Sequence, residues 1–234
     1  MFAAGLSLLL ASCNSDLTRD FATQRIAPNV EGKVVGQETI ELSFYVDCWV
    51  PNEQALATLA GQYKTGARSL PGFLEQAFRQ KLVSNVAPVA FLVSSTKGYI
   101  YRDCFGADMT PKNNFNGYPS NFLNLQAGVL KVELSEDAKR DILRTDSKPI
   151  FVGYGYPNSN VIGTSITVAL SKQHFIGVNG ITEASKNARL VPFSYSIVPT
   201  EIGKKLRNLR EEQRAGQALF VLYDDGWRLQ SLDR

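Results

Sequence analysis

Histidine occurs once in the chain, at position 174, and cysteine three times. A single imidazole excludes a multi-histidine metal centre. His174 follows Lys172-Gln173 near the expected end of a strand and reads as an exposed loop residue. No Cys-x-x-Cys spacing occurs, which removes a redox motif and a zinc ribbon. Gly-x-Ser-x-Gly, His-Glu-x-x-His and the phosphate-loop pattern are all missing. "VGYGYP" has two glycines but lacks the third glycine of a dinucleotide fingerprint. Charge of one sign is also scarce: the formal net charge is +3, with no basic tail and no basic stripe interleaved with aromatics. Nucleic acid is therefore not an expected partner. No apolar run reaches the ~20 residues of a spanning helix. The sequence implies no cofactor and no metal, and it picks out no catalytic residues.

What is present begins at the N-terminus. Residues Phe2 to Ser12 carry no charge and, apart from two serines, only small or apolar side chains. That length suits the core of a signal peptide and is too short for a transmembrane helix. Leu10-Ala11-Ser12-Cys13 resembles the lipobox of bacterial lipoproteins, roughly Leu, small, small, Cys. The resemblance covers this segment only. It implies a diacylglyceryl group on the Cys13 sulfur, cleavage before Cys13, and a membrane partner reached through that anchor. Asn14, rather than Asp, follows the cysteine, which in Gram-negative lipoproteins implies the outer membrane, facing the periplasm. With Cys13 lipidated, Cys48 and Cys104 remain as an even pair for an oxidising compartment. In the chain-entropy picture that disulfide stabilises by about 4 kcal/mol; the alternative is two buried free thiols.

The 234 residues, 44% apolar and 20% charged, have an ordinary globular composition. The expected layout is a signal peptide over 1–12, a lipidated tether over 13–33, and a single α+β domain over 34–234. The tether reading rests on polarity, Pro28, Gly32 and no clear periodicity. From Ile40 to Val50 apolar side chains alternate on one face (Ile40, Leu42, Phe44, Val46, Cys48, Val50), a half-buried strand. Asn52 caps a helix whose Leu56, Leu59, Ala60 and Tyr63 share a face. A second helix follows, with Ser69 and Pro71 at its start. "VAFLVSS" and "GYIYRDCF" read as two strands turning at Thr96-Lys97-Gly98. Ser135 caps a short helix with Arg140 and Arg144 towards its end. "PIFVGYGY", "VIGTSITVAL" and "LVPFSYSIV" read as strands, Pro192 placing the last at an edge or a strand start. Thr200 caps a helix that turns Ile202, Leu206 and Leu209 inward. Its cations Lys204, Lys205, Arg207, Arg210 and Arg214 read as a solvated face. "ALFVLY", Asp224-Asp225-Gly226 and "WRLQ" close the chain as a hairpin.

Sequential hairpins predict a mostly antiparallel sheet with helices on one face, an α+β fold. Two βαββ halves, 34–145 and 146–234, are readable in the pattern, with Phe91 matching Phe220, Gly98 matching Gly226 and Tyr99 matching Trp227. The competing reading is that strand, proline, cap and helix followed by a hairpin is common grammar. Two loops share tyrosine, proline and asparagine: Gly117-Tyr118-Pro119-Ser120-Asn121 and Gly155-Tyr156-Pro157-Asn158-Ser159-Asn160. With Phe115 and Tyr154, the residues Tyr118, Asn121, Tyr156 and Asn160 form a candidate binding platform for sugar, rings stacking on C–H faces while amides bond hydroxyls. The same residues are also ordinary turn formers. The functional expectation is a lipid-anchored cell-envelope protein with a non-catalytic binding or assembly role, its partner an envelope protein or glycan. The alternatives are an envelope enzyme acting on cell-wall glycan and a soluble cytosolic protein.

Overall fold

A computed structural model describes residues 16–46, 48, 50–94, 98–100, 120–122, 125–150 and 161–234. In chain order the elements are α1 (Arg19–Val30), β1 (Val34–Glu41), β2 (Ser43–Tyr45), α2 (Glu53–Thr65), α3 (Phe73–Arg79), β3 (Val83–Ser94), β4 (Gly98–Ile100), β5 (Ser120–Phe122) and β6 (Leu125–Leu134). There follow α4 (Glu136–Lys139), β7 (Ile142–Pro149), β8 (Ile162–Val178), β9 (Thr182–Ser185), β10 (Ala188–Pro199), α5 (Glu201–Arg207), β11 (Glu212–Tyr223) and β12 (Gly226–Asp233). The fold is α+β and mostly antiparallel, as the hairpin pattern requires.

The chain divides into two compact units, each discontinuous in sequence. A terminal unit combines residues up to Val35 with Lys172–Val198 and Arg210–Arg234. A central unit combines Gly36–Ser171 with Pro199–Leu209. These boundaries cut β1, β8 and β10 and do not follow the halves 34–145 and 146–234.

In the terminal unit the end of β8, then β10, β11 and β12, lie side by side, with β9 also on β10. The stretch expected to be a tether contains α1. Ala22, Ile26 and Val30 recur every four residues and so share one helical stripe, which is fully buried. Thr18 caps the helix, its Oγ1 accepting from Phe21 N at 3.2 Å. The stripe packs in a core with Val191, Phe193, Tyr195, Ala218 and Phe220. Burying Ile26 and Val30 stabilises the helix by about 1.5–3 kcal/mol each. That outweighs Pro28, which lies in the last turn. The C-terminus of α1 is clasped to β8: Gly32 N donates to Gln173 O and Gln173 N to Lys33 O, both at 2.8 Å. Pro192 sits inside β10, not at an edge or a start. Its carbonyl accepts from Asn179 N, so its missing N–H faces the side where β8 has already ended and no ladder bond is lost. β11 and β12 form the expected closing hairpin, with Tyr223 opposite Gly226.

In the central unit β1 pairs with β8 and β7 pairs with β8, while β2, β6 and β3 make a second sheet. The alternating face is as expected: Ile40, Leu42, Val46, Cys48 and Val50 are buried and Phe44 packs against them. The strand is interrupted at Leu42 and ends at Tyr45, so Val46, Cys48 and Val50 are buried from outside any strand. Leu42 N donates to Thr164 O and Leu42 O accepts from Val132 N, each at 2.8 Å, so this residue hands the chain from one sheet to the other. α2 forms as expected, Asn52 Oδ1 accepting from Ala55 N at 2.8 Å and Gly66 closing the helix at φ 76°. Leu56, Leu59, Ala60 and Tyr63 all enter the core.

Several expectations are corrected here. "VAFLVSS" and "GYIYRDCF" do not turn back on each other. β3 pairs with β6 and β4 with β5, and the second pairing continues the register of the first with a one-residue shift. β3 and β4 are thus paired with different strands and not with each other, so the match between two hairpins that underlay the duplication is lost. Arg144 lies in β7, because α4 stops at Lys139. α5 stops at Arg207: Asn208 takes φ 52° and its N–H bonds Gly203 O. Arg210 and Arg214 are therefore not helical, and Leu209 is exposed rather than inward.

Candidate functional site

Two cavities stand out among the described residues, one within each unit. The terminal-unit cavity, about 380 Å³, lies between the start of α1 and the β11–β12 turn. Asp16, Leu17, Thr18, Phe21 and Arg25 form one wall and Asp225, Gly226, Trp227 and Arg228 the other. Helical spacing places Phe21 and Arg25 one turn apart, and the two-residue turn Asp224-Asp225 sets Trp227 and Arg228 opposite them. Phe21 meets Phe220 edge-on, ring centroids 6.5 Å apart. The Arg25 guanidinium stands 5.3 Å from the Phe21 ring centre, and Arg189 stands 5.3 Å from that of Trp227. Arg228 bonds Asp225 and lies 5.1 Å from the Tyr223 ring centre. The bond from Arg228 holds the Asp225 carboxyl below the usual carboxylate range and raises the Arg228 guanidinium in turn. The lining carries two carboxylates and two guanidiniums beside two aromatic rings. That set is chemically suited to a group with both signs of charge and an apolar part.

The central-unit cavity, about 440 Å³, is lined by β1 from Glu38 to Glu41, by Ser43 and Phe44, by residues Pro71 to Leu74 and by Arg207. Arg207 Nε donates to Glu38 Oε2 at 2.8 Å, and its guanidinium lies 5.6 Å from the Phe73 ring centre. Glu41 bonds Lys148. Both carboxylates are committed to cations, an arrangement suited to holding the wall together rather than to proton transfer.

The residues singled out in the sequence fare unevenly. Cys48 is buried on the apolar face and accepts from Arg68 Nη1 at 4.0 Å. Asn121 lies in β5 opposite Tyr99. Cys13, Cys104, Phe115, Tyr118, Tyr154, Tyr156 and Asn160 lie outside the described residues. His174 is exposed as expected, but in strand β8 rather than a loop, its Nδ1 3.1 Å from Glu31 Oε1. Glu31 Oε2 accepts from Phe175 N at 2.8 Å; that bond first, and His174 second, lower the Glu31 carboxyl. Sequence reasoning missed the terminal-unit cavity, although its turn residues Asp225 and Trp227 were legible as a hairpin. No local signal joins Phe21 and Arg25 to residues two hundred positions away.

Compared with known families, proteins and solved structures, the chain matches none. No helix among the described residues is long and apolar enough to cross a membrane.

Proposed function

We propose that the protein is a lipid-anchored component of the bacterial cell envelope with a non-catalytic binding or assembly role, attached through Cys13. The observation that carries this reading is the segment Leu10-Ala11-Ser12-Cys13, set directly after an uncharged apolar run and directly before a folded unit. Asn14 after the cysteine favours the outer membrane, periplasmic face, in a Gram-negative cell. A Cys48–Cys104 disulfide belongs to the same proposal, because export places the remaining pair of cysteines where oxidation is favoured. The cavity chemistry supports a recognition role: Asp16 and Arg25 line it with one charge of each sign beside two aromatic rings and the Asp225–Arg228 pair.

Metabolic labelling with a fatty-acid probe tests the anchor. The wild-type protein takes up label and Cys13→Ala does not. Absence of label on wild type, or label that survives in Cys13→Ala, overturns the reading.

A further inference from the structure

The start of α1 changes what an anchor at Cys13 would mean. Leu17 is already buried in the terminal unit and the helix begins at Arg19. Leu17 is four residue steps beyond Cys13, so even a fully extended chain spans only about 14 Å. A free tether over 13–33 would have reached about 70 Å. The headgroup layer of a bilayer leaflet is itself about 5–8 Å deep. A lipidated Cys13 therefore holds the wall formed by Asp16, Leu17, Thr18 and Phe21 against that layer, and the cavity with it.

We infer that the terminal-unit cavity receives a zwitterionic phospholipid headgroup of the membrane to which the protein is anchored; this rests on the lipidation of Cys13. The chemistry of the lining selects that occupant. Trp227 is an amphipathic side chain of the kind that settles at a membrane interface, and Phe21 adds an apolar ring beside it. Arg25 matches a phosphate and Asp16 matches an ammonium. Asp225 and Arg228 neutralise each other, while Asp16 and Arg25 add one charge of each sign. A balanced lining gives no net pull towards a purely anionic surface, whose attraction needs clustered cations. The helix terminus is not invoked: Phe21 N is taken by Thr18 Oγ1.

The test uses the full-length lipidated protein in phosphatidylcholine and phosphatidylethanolamine vesicles, with Trp49→Phe so that Trp227 is the sole tryptophan. The expected result is a blue-shifted Trp227 emission, loss of quenching by aqueous acrylamide, and quenching by lipids labelled at headgroup depth. Adding anionic lipid or salt changes little. The double variant Asp16→Asn, Arg25→Ala alters two exposed side chains; with its circular dichroism unchanged, it still floats with vesicles but regains acrylamide quenching. If the protein floats while Trp227 stays as accessible as in soluble Cys13→Ala protein, the headgroup assignment fails and the anchor stands. If the protein does not float, the anchor itself has failed. Shielding that appears only with anionic lipid and vanishes in salt also overturns the zwitterionic assignment.

Discussion

Replacing Gly203 by alanine sets two physical effects against each other. Gly203 lies inside α5, where alanine ordinarily stabilises a helix by about 1 kcal/mol over glycine. A Cβ there, however, would sit 3.0 Å from the carbonyl carbon of Leu170 and closer still to its oxygen. Ordinary C···O contacts settle at about 3.3–3.6 Å. The obstacle is backbone, so α5 must retreat by roughly 1.5 Å. Thr200 holds α5 in place. Its N donates to Leu170 O at 3.0 Å, and its Oγ1 donates to Ala169 O at 2.8 Å while accepting from Gly203 N at 3.1 Å. Overpacking costs about 1–3 kcal/mol and each weakened buried bond about 1 kcal/mol. The net expectation is a protein less stable by about 2–3 kcal/mol, despite the better helix former. With a urea slope of about 2 kcal/mol per molar, the unfolding midpoint falls by about 1 M. Gly61 is the control. It lies in α2 with nothing within 4 Å of the point an alanine methyl would occupy, so Gly61→Ala gains about 1 kcal/mol. Urea denaturation of both variants by circular dichroism decides the matter: a Gly203→Ala protein as stable as wild type, or more so, refutes the close-approach argument.

Asn52→Ala removes the side-chain acceptor for Ala55 N and should cost about 1 kcal/mol in the same assay, with Asn52→Asp close to wild type; equal loss in both would point away from capping. Glu31 has its folded carboxyl lowered, so its contribution to stability is present above the unfolded carboxylate pKa and is lost as pH falls through the folded one. Glu31→Gln should therefore flatten the acid limb of stability against pH and leave little difference at the acid extreme, and an unchanged acid limb would count against the clasp. Thiol trapping of the exported protein should find Cys48 and Cys104 unreactive until reduced; free thiols in the oxidised wild type would exclude their pairing.

Much of the fold could be read one residue at a time. The stripe Leu56-Leu59-Ala60-Tyr63 and the Asp224-Asp225-Gly226 turn are local signals, and each marks the element that forms, while the alternation from Ile40 to Val50 marks the buried face but not the strand end at Tyr45. α1 was illegible for the opposite reason. Only Ala22, Ile26 and Val30 mark its buried face among polar residues, and their worth depends on Phe193 and Phe220, far along the chain. Leu209 prolonged a helical period that Asn208 ends through its backbone conformation. Pro192 is tolerated inside β10 only because of where a neighbouring strand stops. The candidate cavity is hidden for the same cause as α1: its two walls come from opposite ends of the chain.

The division of the chain into interleaved units also governs the order of assembly. α1 is synthesised before the partners of Ile26 and Val30, which arrive with β10 and β11. The central unit needs nothing later than Leu209. In a chain exported as proposed, the apolar stripe near the anchoring cysteine waits uncovered until β10 and β11 have crossed. A chain truncated before Arg210 retains the residues of the central unit but strands α1 without β11, which makes β11 a checkpoint for α1.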